Sequence, residues 1–197
     1  MKQNRSGTIL LALFTAVLSG FLTQAKGQTI YKQTPESYLT IAGTSTLHEW
    51  TMTSSQPQLV AAIETSSDGN VSQIKSLVLT AQSQSLKSAH NGMDKNAYSA
   101  LKVDKHKAIN FIMTSATVQK NVIQCLGNLS IAGVTKQVSV DATCTLKSGK
   151  SSLICTGNKV LKMSDYQVEA PSFMFGTVKT GDEITISFNI ELVPTKK

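Results

Sequence analysis

The chain has 197 residues and a formal net charge of +7, enough for one folded domain with a targeting segment in front of it. That charge is almost wholly lysine: Arg5 is the single arginine, so a nucleic-acid reader's bidentate contacts to phosphates and bases have no side chain to make them, and scattered lysines read as a solubility feature. Cys125, Cys144 and Cys155 form no C-x-x-C pair, which argues against zinc and thioredoxin-type sites.

The N-terminus carries Lys2 and Arg5, then an apolar run from Ile9 to Leu22, then small and polar residues. That is the pattern of a secretory signal peptide, and the run is too short for a comfortable membrane span. Cleavage after Ala25 or Gly27 fits, and Gly27 is preferred. The expected mature domain is then 28–197, with no integral membrane segment and a charge of +4 once Lys2, Arg5 and Lys26 are gone.

From there the side chains alternate with a period of two, the rhythm of strands with one dry face and one wet face. Residues 28–36 read as an extended lead-in. Ser37–Gly43 alternates with Leu39 and Ile41 on one side, and Thr46–Thr53 sets His48, Trp50 and Met52 on a common face. Pro57 interrupts, Leu59–Glu64 resumes, and Ser66–Asn70 is a turn cluster. Val71–Ser83 is a further strand, with Leu77, Leu79 and Ala81 in step.

The rhythm breaks over Ser88–Lys102. Met93, Ala97 and Leu101 recur every four residues with Tyr98 beside them, which predicts a short amphipathic helix. Asn91 is its expected cap, with Asp94 in the first turn and Lys102 in the last. The helix is expected across one end of the sheet structure or packed on its outside.

Strands resume at Ala108–Val118, with Ile109, Phe111 and Met113 aligned, and at Val122–Ile131. Ala132-Gly133 then predicts a tight hairpin turn, with Gly133 supplying positive φ. Folding there sets Ile131 opposite Val134, Gly127 opposite Val138 and Cys125 opposite Val140. The strand runs on to Leu146, Ser148–Ser151 turns the chain, and Leu153–Met163 returns. Ser164–Asp182 reads as long and irregular, with Tyr166, Phe173 and Phe175. Glu183–Val193 alternates most strictly of all, with Ile184, Ile186, Phe188, Ile190 and Leu192 on its dry side. Eight or nine sequential antiparallel strands with one dry face close into a barrel or a sandwich.

Leu129-Ser130-Ile131-Ala132-Gly133-Val134-Thr135-Lys136-Gln137-Val138 resembles the "L-T-I-x-G-V-T-K-x-V" signature of the YceI-like family. Lys105-His106-Lys107-Ala108-Ile109-Asn110-Phe111 resembles that family's "P-x-I-x-F" entry into a strand, with Ala108 where proline is usual. Lys162-Met163-Ser164-Asp165-Tyr166 resembles its "R-S-D-F-G" turn without the arginine and glycine. Thr180-Gly181-Asp182-Glu183-Ile184-Thr185-Ile186 resembles its "V-G-D-E-V-x-I" final strand, and the likeness runs from about Tyr38 to Val193. The resemblance implies an all-β fold: a closed antiparallel eight-stranded lipocalin-like barrel with one short helix insert, periplasmic or secreted. It also implies an apolar long-chain ligand, a polyisoprenoid or an isoprenoid quinone, with no other cofactor and no catalysis.

On that reading the inward side chains form the lipid-binding surface: Leu39, Ile41, Trp50, Leu77, Leu79, Phe111, Ile123, Leu129, Val138, Val140, Phe173, Ile186 and Phe188. His48, Tyr98 and Tyr166 are candidates for polar contacts at the mouth. Small inward residues at Gly127, Ala142 and Gly157 suggest empty volume. The alternative is a structural or interaction barrel whose own side chains fill the interior. The oligomeric state is left open.

The remaining polar groups read blandly. His48-Glu49-Trp50 has no spaced nucleophile or orienting partner, so His48 is read as a hydrogen-bonded residue near the mouth. Asp104-Lys105-His106-Lys107 is a solvated turn, because two lysines beside the ligands would repel a metal cation. No serine sits in G-x-S-x-G, and Asp182 and Glu183 face opposite ways on a strand. Asn70-Val71-Ser72 and Asn128-Leu129-Ser130 match the glycosylation sequon by pattern only, the second within a strand. Folding the hairpin about Gly149-Lys150 brings Cys144 opposite Cys155, within disulfide reach in an oxidising compartment. Three buried free thiols are the other possibility, and thiol counting on denatured, unreduced protein separates the two.

Overall fold

The computed structural model of the chain describes residues 28–147, 151–173 and 177–195. The signal peptide expected at 1–27 and Phe175 lie outside the described residues, as does the side chain of Phe173. Among the described residues, twelve strand segments, one α-helix and two 3-10 turns follow one another. The strands are β1 (Thr29–Gln33), β2 (Tyr38–Ser45), β3 (Glu49–Ser54), β4 (Gln58–Thr65), β5 (Val71–Gln82), β6 (Leu86–Lys87), β7 (Ala108–Gln119), β8 (Val122–Ile131), β9 (Val134–Leu146), β10 (Leu153–Lys162), β11 (Ser172–Phe173) and β12 (Val178–Pro194); α1 is Asn91–Ala100.

The segments combine into eight staves. β1 and β2 both pair with β12, and together they form one long stave broken at Thr34–Ser37. β3 and β4 form the next, broken at Pro57; β5 and β6 form the third. Then come β7, β8, β9, β10 and β12, each antiparallel to its neighbour, and β12 returns to β1 and β2. The result is a closed eight-stranded antiparallel barrel, in which the β9–β10 ladder ends at Asp141 and Asn158. The expected lead-in is therefore a strand, and it closes the ring.

The β8–β9 hairpin has the expected register: Ile131 faces Val134, Gly127 faces Val138 and Cys125 faces Val140. Its two-residue turn has φ of +48° at Ala132 and +86° at Gly133, the doubly positive pattern whose twist matches the flanking strands. The β9–β10 hairpin sets Cys144 opposite Cys155 and Leu146 opposite Leu153, and the two cysteines are joined by a disulfide. Cys125 is a free, buried thiol, and burial with nearby Asp141 pushes its pKa up to about 11, so it is protonated and inert at neutral pH.

β12 starts at Val178, ahead of the Glu183 expected from its alternation. A shift of register between Thr180 and Ile184 against β2 is the reason: an irregularity destroys the period of two that marks a strand in sequence. Between β10 and β12 the chain forms a 3-10 turn at Met163–Tyr166 and the short β11. Asp182 pins that turn, accepting hydrogen bonds from the Ser164 backbone N–H at 2.7 Å and its hydroxyl at 2.6 Å. Those bonds hold the Asp182 carboxyl below its ordinary pKa.

Below the middle of the barrel the interior is full. Ile63, Ile123, Leu153, Ile190 and Leu192 are almost wholly buried there around the disulfide. The volume expected from small inward residues is not open. A Cβ at Gly127 would strike the Phe111 ring, and one at Gly157 would strike the Phe188 ring and the Asp141 carbonyl oxygen. Each phenylalanine leans over the glycine of a neighbouring strand and occupies the space that glycine leaves.

Helix α1 is shorter than Ser88–Lys102. Its N-cap is His90 rather than Asn91, and no side chain of the cap bonds the first turn. Asp94, inside the helix, instead ties the N-terminal turn back to Ser88. It is 4% exposed, accepts from the Ser88 N–H and hydroxyl at 2.7 Å each, and pairs with Lys87 at 3.6 Å. The Ser88 bonds, then Lys87, hold its carboxyl below the ordinary range. A depressed carboxylate pKa contributes stability above the unfolded value of about 4, lost as pH falls through the folded value. Asp94→Asn is therefore expected to melt lower than wild type at pH 7, with the gap closing below about pH 4. Thermal melts across pH 2–8 check this; a gap that stays constant would show that ionisation of Asp94 is irrelevant.

Candidate functional site

Three devices place α1 over the upper end of the barrel. The Tyr98 hydroxyl lies 3.0 Å from the Gln84 carbonyl and 2.8 Å from that of Leu86, so it ties the helix to the top of the third stave. Lys87 sits over the Tyr98 ring at 5.1 Å. Asp94 anchors the N-terminal turn. Met93, Ala97, Ala100 and Leu101 then face the interior and roof a cavity of about 360 Å³.

The walls follow from the registers. Ile186, Ile41 and Met52 stand directly opposite one another across β12, β2 and β3, and all three line the cavity. Ile184 and Trp50 line it one row higher, with Gly43 between them. Gly43 has no side chain because the Trp50 indole lies flat on it, and the indole N–H donates to the Thr44 carbonyl at 3.0 Å. Ile109 of β7 and Ile131 of β8 close the far wall, and Met163, Tyr166, Val168 and Val178 the remaining side.

The floor is the next inward layer. On β2, β7, β8 and β12 the residue two below the lowest lining residue drops out of the cavity: Leu39 below Ile41, Phe111 below Ile109, Leu129 below Ile131, Phe188 below Ile186. Leu39, Phe111 and Leu129 are buried in the core and Phe188 packs against it. The lining is mostly aliphatic and aromatic, with His48, His90, Asn96, Lys162, Ser45 and Thr180 at its margins. His48 is exposed, and its Nδ1 lies 2.7 Å from the Glu49 carbonyl oxygen. The Tyr166 hydroxyl is buried at the cavity without a hydrogen-bond partner; burial, then Asp165, raises its pKa.

Of the residues expected to bind lipid, Ile41, Trp50 and Ile186 line this cavity, and so do His48 and Tyr166. Leu39, Phe111, Leu129 and Phe188 form its floor. Ile123 is deep in the core, and Leu77, Leu79, Val138 and Val140 are half-buried against it without lining the cavity. Tyr98 holds the helix from outside the lining. Met93, Ala97 and Leu101 were legible as a helix face, yet nothing in their spacing says that the face covers a cavity. Met52, Ile109, Ile131 and Met163 look like any inward strand residue until the strand's height in the barrel is known. Among the described residues no group of His, Cys, Asp and Glu side chains is placed to hold a metal. No helix among them is long and apolar enough to cross a membrane.

The fold is shared with solved structures. BcnA of Burkholderia cenocepacia superposes with a TM-score of 0.66 at 14% identity, over 82% of this chain and 99% of that one. A polyisoprenoid binding domain from Saccharophagus degradans, implicated in plant cell wall breakdown, superposes at 0.62 with 10% identity, over 85% and 99%. The Campylobacter jejuni YCEI protein reaches 0.56 at 20% identity, over 71% and 82%. No curated protein sequence matches the chain. At these identities the structures show a common fold, while the sequence model of the YceI-like domain matches residues 31–192 directly. The chain belongs to the YceI-like family.

Proposed function

We propose that the barrel binds an apolar long-chain lipid, a polyisoprenoid or the tail of an isoprenoid quinone, in the cavity beneath α1. The observation that carries this reading is the cavity itself: about 360 Å³, walled by Ile41, Met52, Ile109, Ile131, Ile184 and Ile186 and roofed by Met93, Ala97 and Leu101. That volume falls in the range of small-molecule sites. Each methylene enclosed gains ~0.8 kcal/mol, so a chain is held by burial without any reacting group. The filled lower half limits the cavity to a segment of a long chain, and the rest extends past the mouth beside His48 and Trp50. The polyisoprenoid-binding neighbour from Saccharophagus degradans supports the same ligand class.

The reading is of a carrier or binding protein and not of an enzyme. It places the mature domain outside the cytoplasm, supported by Lys2, Arg5 and the Ile9–Leu22 run, and by a disulfide that an oxidising compartment permits. N-terminal sequencing of envelope or secreted material is expected to start at Gln28 or Lys26; an intact Met1 on cytoplasmic protein would refute export.

Native mass spectrometry of protein purified without added lipid tests the ligand. A co-purifying apolar species that exchanges with added isoprenoid is the expected result. A bare chain mass that no isoprenoid shifts would replace this reading with that of a structural barrel.

A further inference from the structure

The hairpin between β2 and β3 turns over Thr46, Leu47 and His48, and its tip is firmly built. The Ser45 hydroxyl accepts from the N–H groups of Leu47 at 3.3 Å and His48 at 3.2 Å, and donates to the His48 carbonyl at 2.9 Å. The Ser45 N–H donates to that same carbonyl at 2.9 Å. A second set of bonds clips the tip to the start of β12. The Thr46 N–H donates to the Lys179 carbonyl at 3.0 Å, and the Lys179 N–H to the Thr46 hydroxyl at 3.3 Å.

What this framework displays is Leu47, 69% exposed, the most exposed large apolar side chain among the described residues. The turn is made by Ser45 and Thr46 and does not depend on a leucine between them and His48. A single exposed leucine is ordinary on a protein surface, but the place of this one is not. Ser45 and His48 on either side of it line the cavity, as do Trp50, Val178 and Thr180, while Leu47 itself does not. Leu47 therefore stands on the rim, at the mouth where a bound chain leaves the barrel. Lys179 is exposed beside it, and none of the ion pairs among the described residues includes Lys179. Glu49, exposed next to His48, offsets part of that charge.

Resting on the reading that the cavity takes a segment of an isoprenoid chain, we infer that the β2–β3 tip is a membrane-docking point. Leu47 enters the interfacial region of a lipid bilayer, Lys179 lies at the level of the phosphates, and the mouth is held against the surface from which the chain is drawn. The filled lower half of the barrel leaves the rest of a long chain outside. In water that remainder exposes hydrocarbon; in a bilayer it does not. The chemistry of the tip matches the boundary between the two, an apolar side chain beside a lysine that keeps its charge in the polar layer. One leucine and one lysine make a weak and reversible anchor, which suits a carrier that must leave the membrane again.

Transfer of geranylgeraniol from vesicles of equal parts phosphatidylcholine and phosphatidylglycerol tests this, with Trp50, the single tryptophan, reporting arrival in the cavity. The wild-type rate is expected to rise with vesicle concentration, as transfer by contact requires. Leu47→Ser should lower that rate and vesicle co-sedimentation on the order of tenfold. Its equilibrium affinity for geranylgeraniol delivered from cyclodextrin should stay within about twofold of wild type, since Leu47 adds no apolar area to the lining. Leu47→Trp should retain transfer, because tryptophan also favours the membrane interface. Lys179→Gln should slow transfer from these vesicles and leave transfer from pure phosphatidylcholine unchanged.

Equal transfer by Leu47→Ser and wild type would overturn the inference and leave the isoprenoid reading intact. So would a wild-type rate independent of vesicle concentration, which means passage through water. A Leu47→Ser variant that loses cyclodextrin-delivered binding to the same degree would place Leu47 in the cavity's own energetics and overturn docking as well. Vesicle association that appears only when a second envelope protein is added would assign the tip to a protein partner. No binding of geranylgeraniol by either route would remove the isoprenoid reading and this inference together.

Discussion

Ile41→Glu is expected to abolish binding of an isoprenoid chain while leaving the barrel folded. Ile41 is central to the cavity wall, opposite Ile186 on one side and Met52 on the other. A carboxylate there must shed water when a hydrocarbon enters, at a penalty of several kcal/mol. Even about 3 kcal/mol lowers affinity more than a hundredfold. Without ligand the same carboxylate can stay hydrated, because a cavity of about 360 Å³ open at its mouth has room for water, so the melting temperature should fall little. Val160→Glu is the matched control: Val160 lies on β10 in the same region of the barrel but points outward and is 49% exposed. Titration by Trp50 fluorescence, with thermal melts of both variants, reads the result. Equal loss of binding in both would sink the assignment of the site. Val140, on the same inner face lower down, would not make so clean a test. It is half-buried against the core, and a charge there falls on folding as well as on binding.

Loss of the Cys144–Cys155 disulfide is expected to cost about 3 kcal/mol of stability, from a sequence separation of 11 and the entropy that the loop withholds from the unfolded chain. For a domain of this size that is a fall of roughly 6–12 °C in melting temperature. The bond ties β9 to β10 three residue pairs below the end of their ladder at Asp141 and Asn158, so it is a covalent stop on any further parting of the two strands. Melting of the Cys144→Ala/Cys155→Ala double variant against wild type measures the effect, and reductant should lower the wild type by a similar amount. Thiol counting on denatured, unreduced protein should find Cys125 alone. A double variant that melts with the wild type would show that the strand pairing holds this region unaided.

Much of the barrel could be read from the chain because strand registers are local. Ile131 against Val134, Gly127 against Val138 and Cys144 against Cys155 each follow from a short turn and a period of two, both visible in sequence. The same reasoning reads less well where the period fails. The start of β12 was hidden by the irregularity near Thr180, and β1 by its short length and its separation from β2 at Thr34–Ser37. A turn and an alternation say which way a side chain points, so the apolar character of the interior was legible as well.

What alternation leaves unsaid is height. Leu39 and Ile41 look alike in sequence, yet Ile41 meets the cavity and Leu39 its floor, because the floor is set by how Phe188 and Phe111 lean over Gly157 and Gly127 on neighbouring strands. Those glycines suggested empty space when read alone; the rings that fill them come from the neighbouring strands. The roof was visible as the Met93, Ala97 and Leu101 face, but its place over the mouth depends on Tyr98 reaching Gln84 and Leu86 and on Asp94 reaching Ser88. Short-range pattern set the hairpin registers and the opposition of Cys144 to Cys155, and the resemblance carried by Leu129–Val138 pointed to the family and its barrel, while the pattern alone left barrel against sandwich and disulfide against free thiols open. Where the barrel is full, where it is hollow and where the β9–β10 ladder stops emerge only in the closed ring. Those depend on packing between strands, and packing is a property of side chains that meet only once the ring has closed.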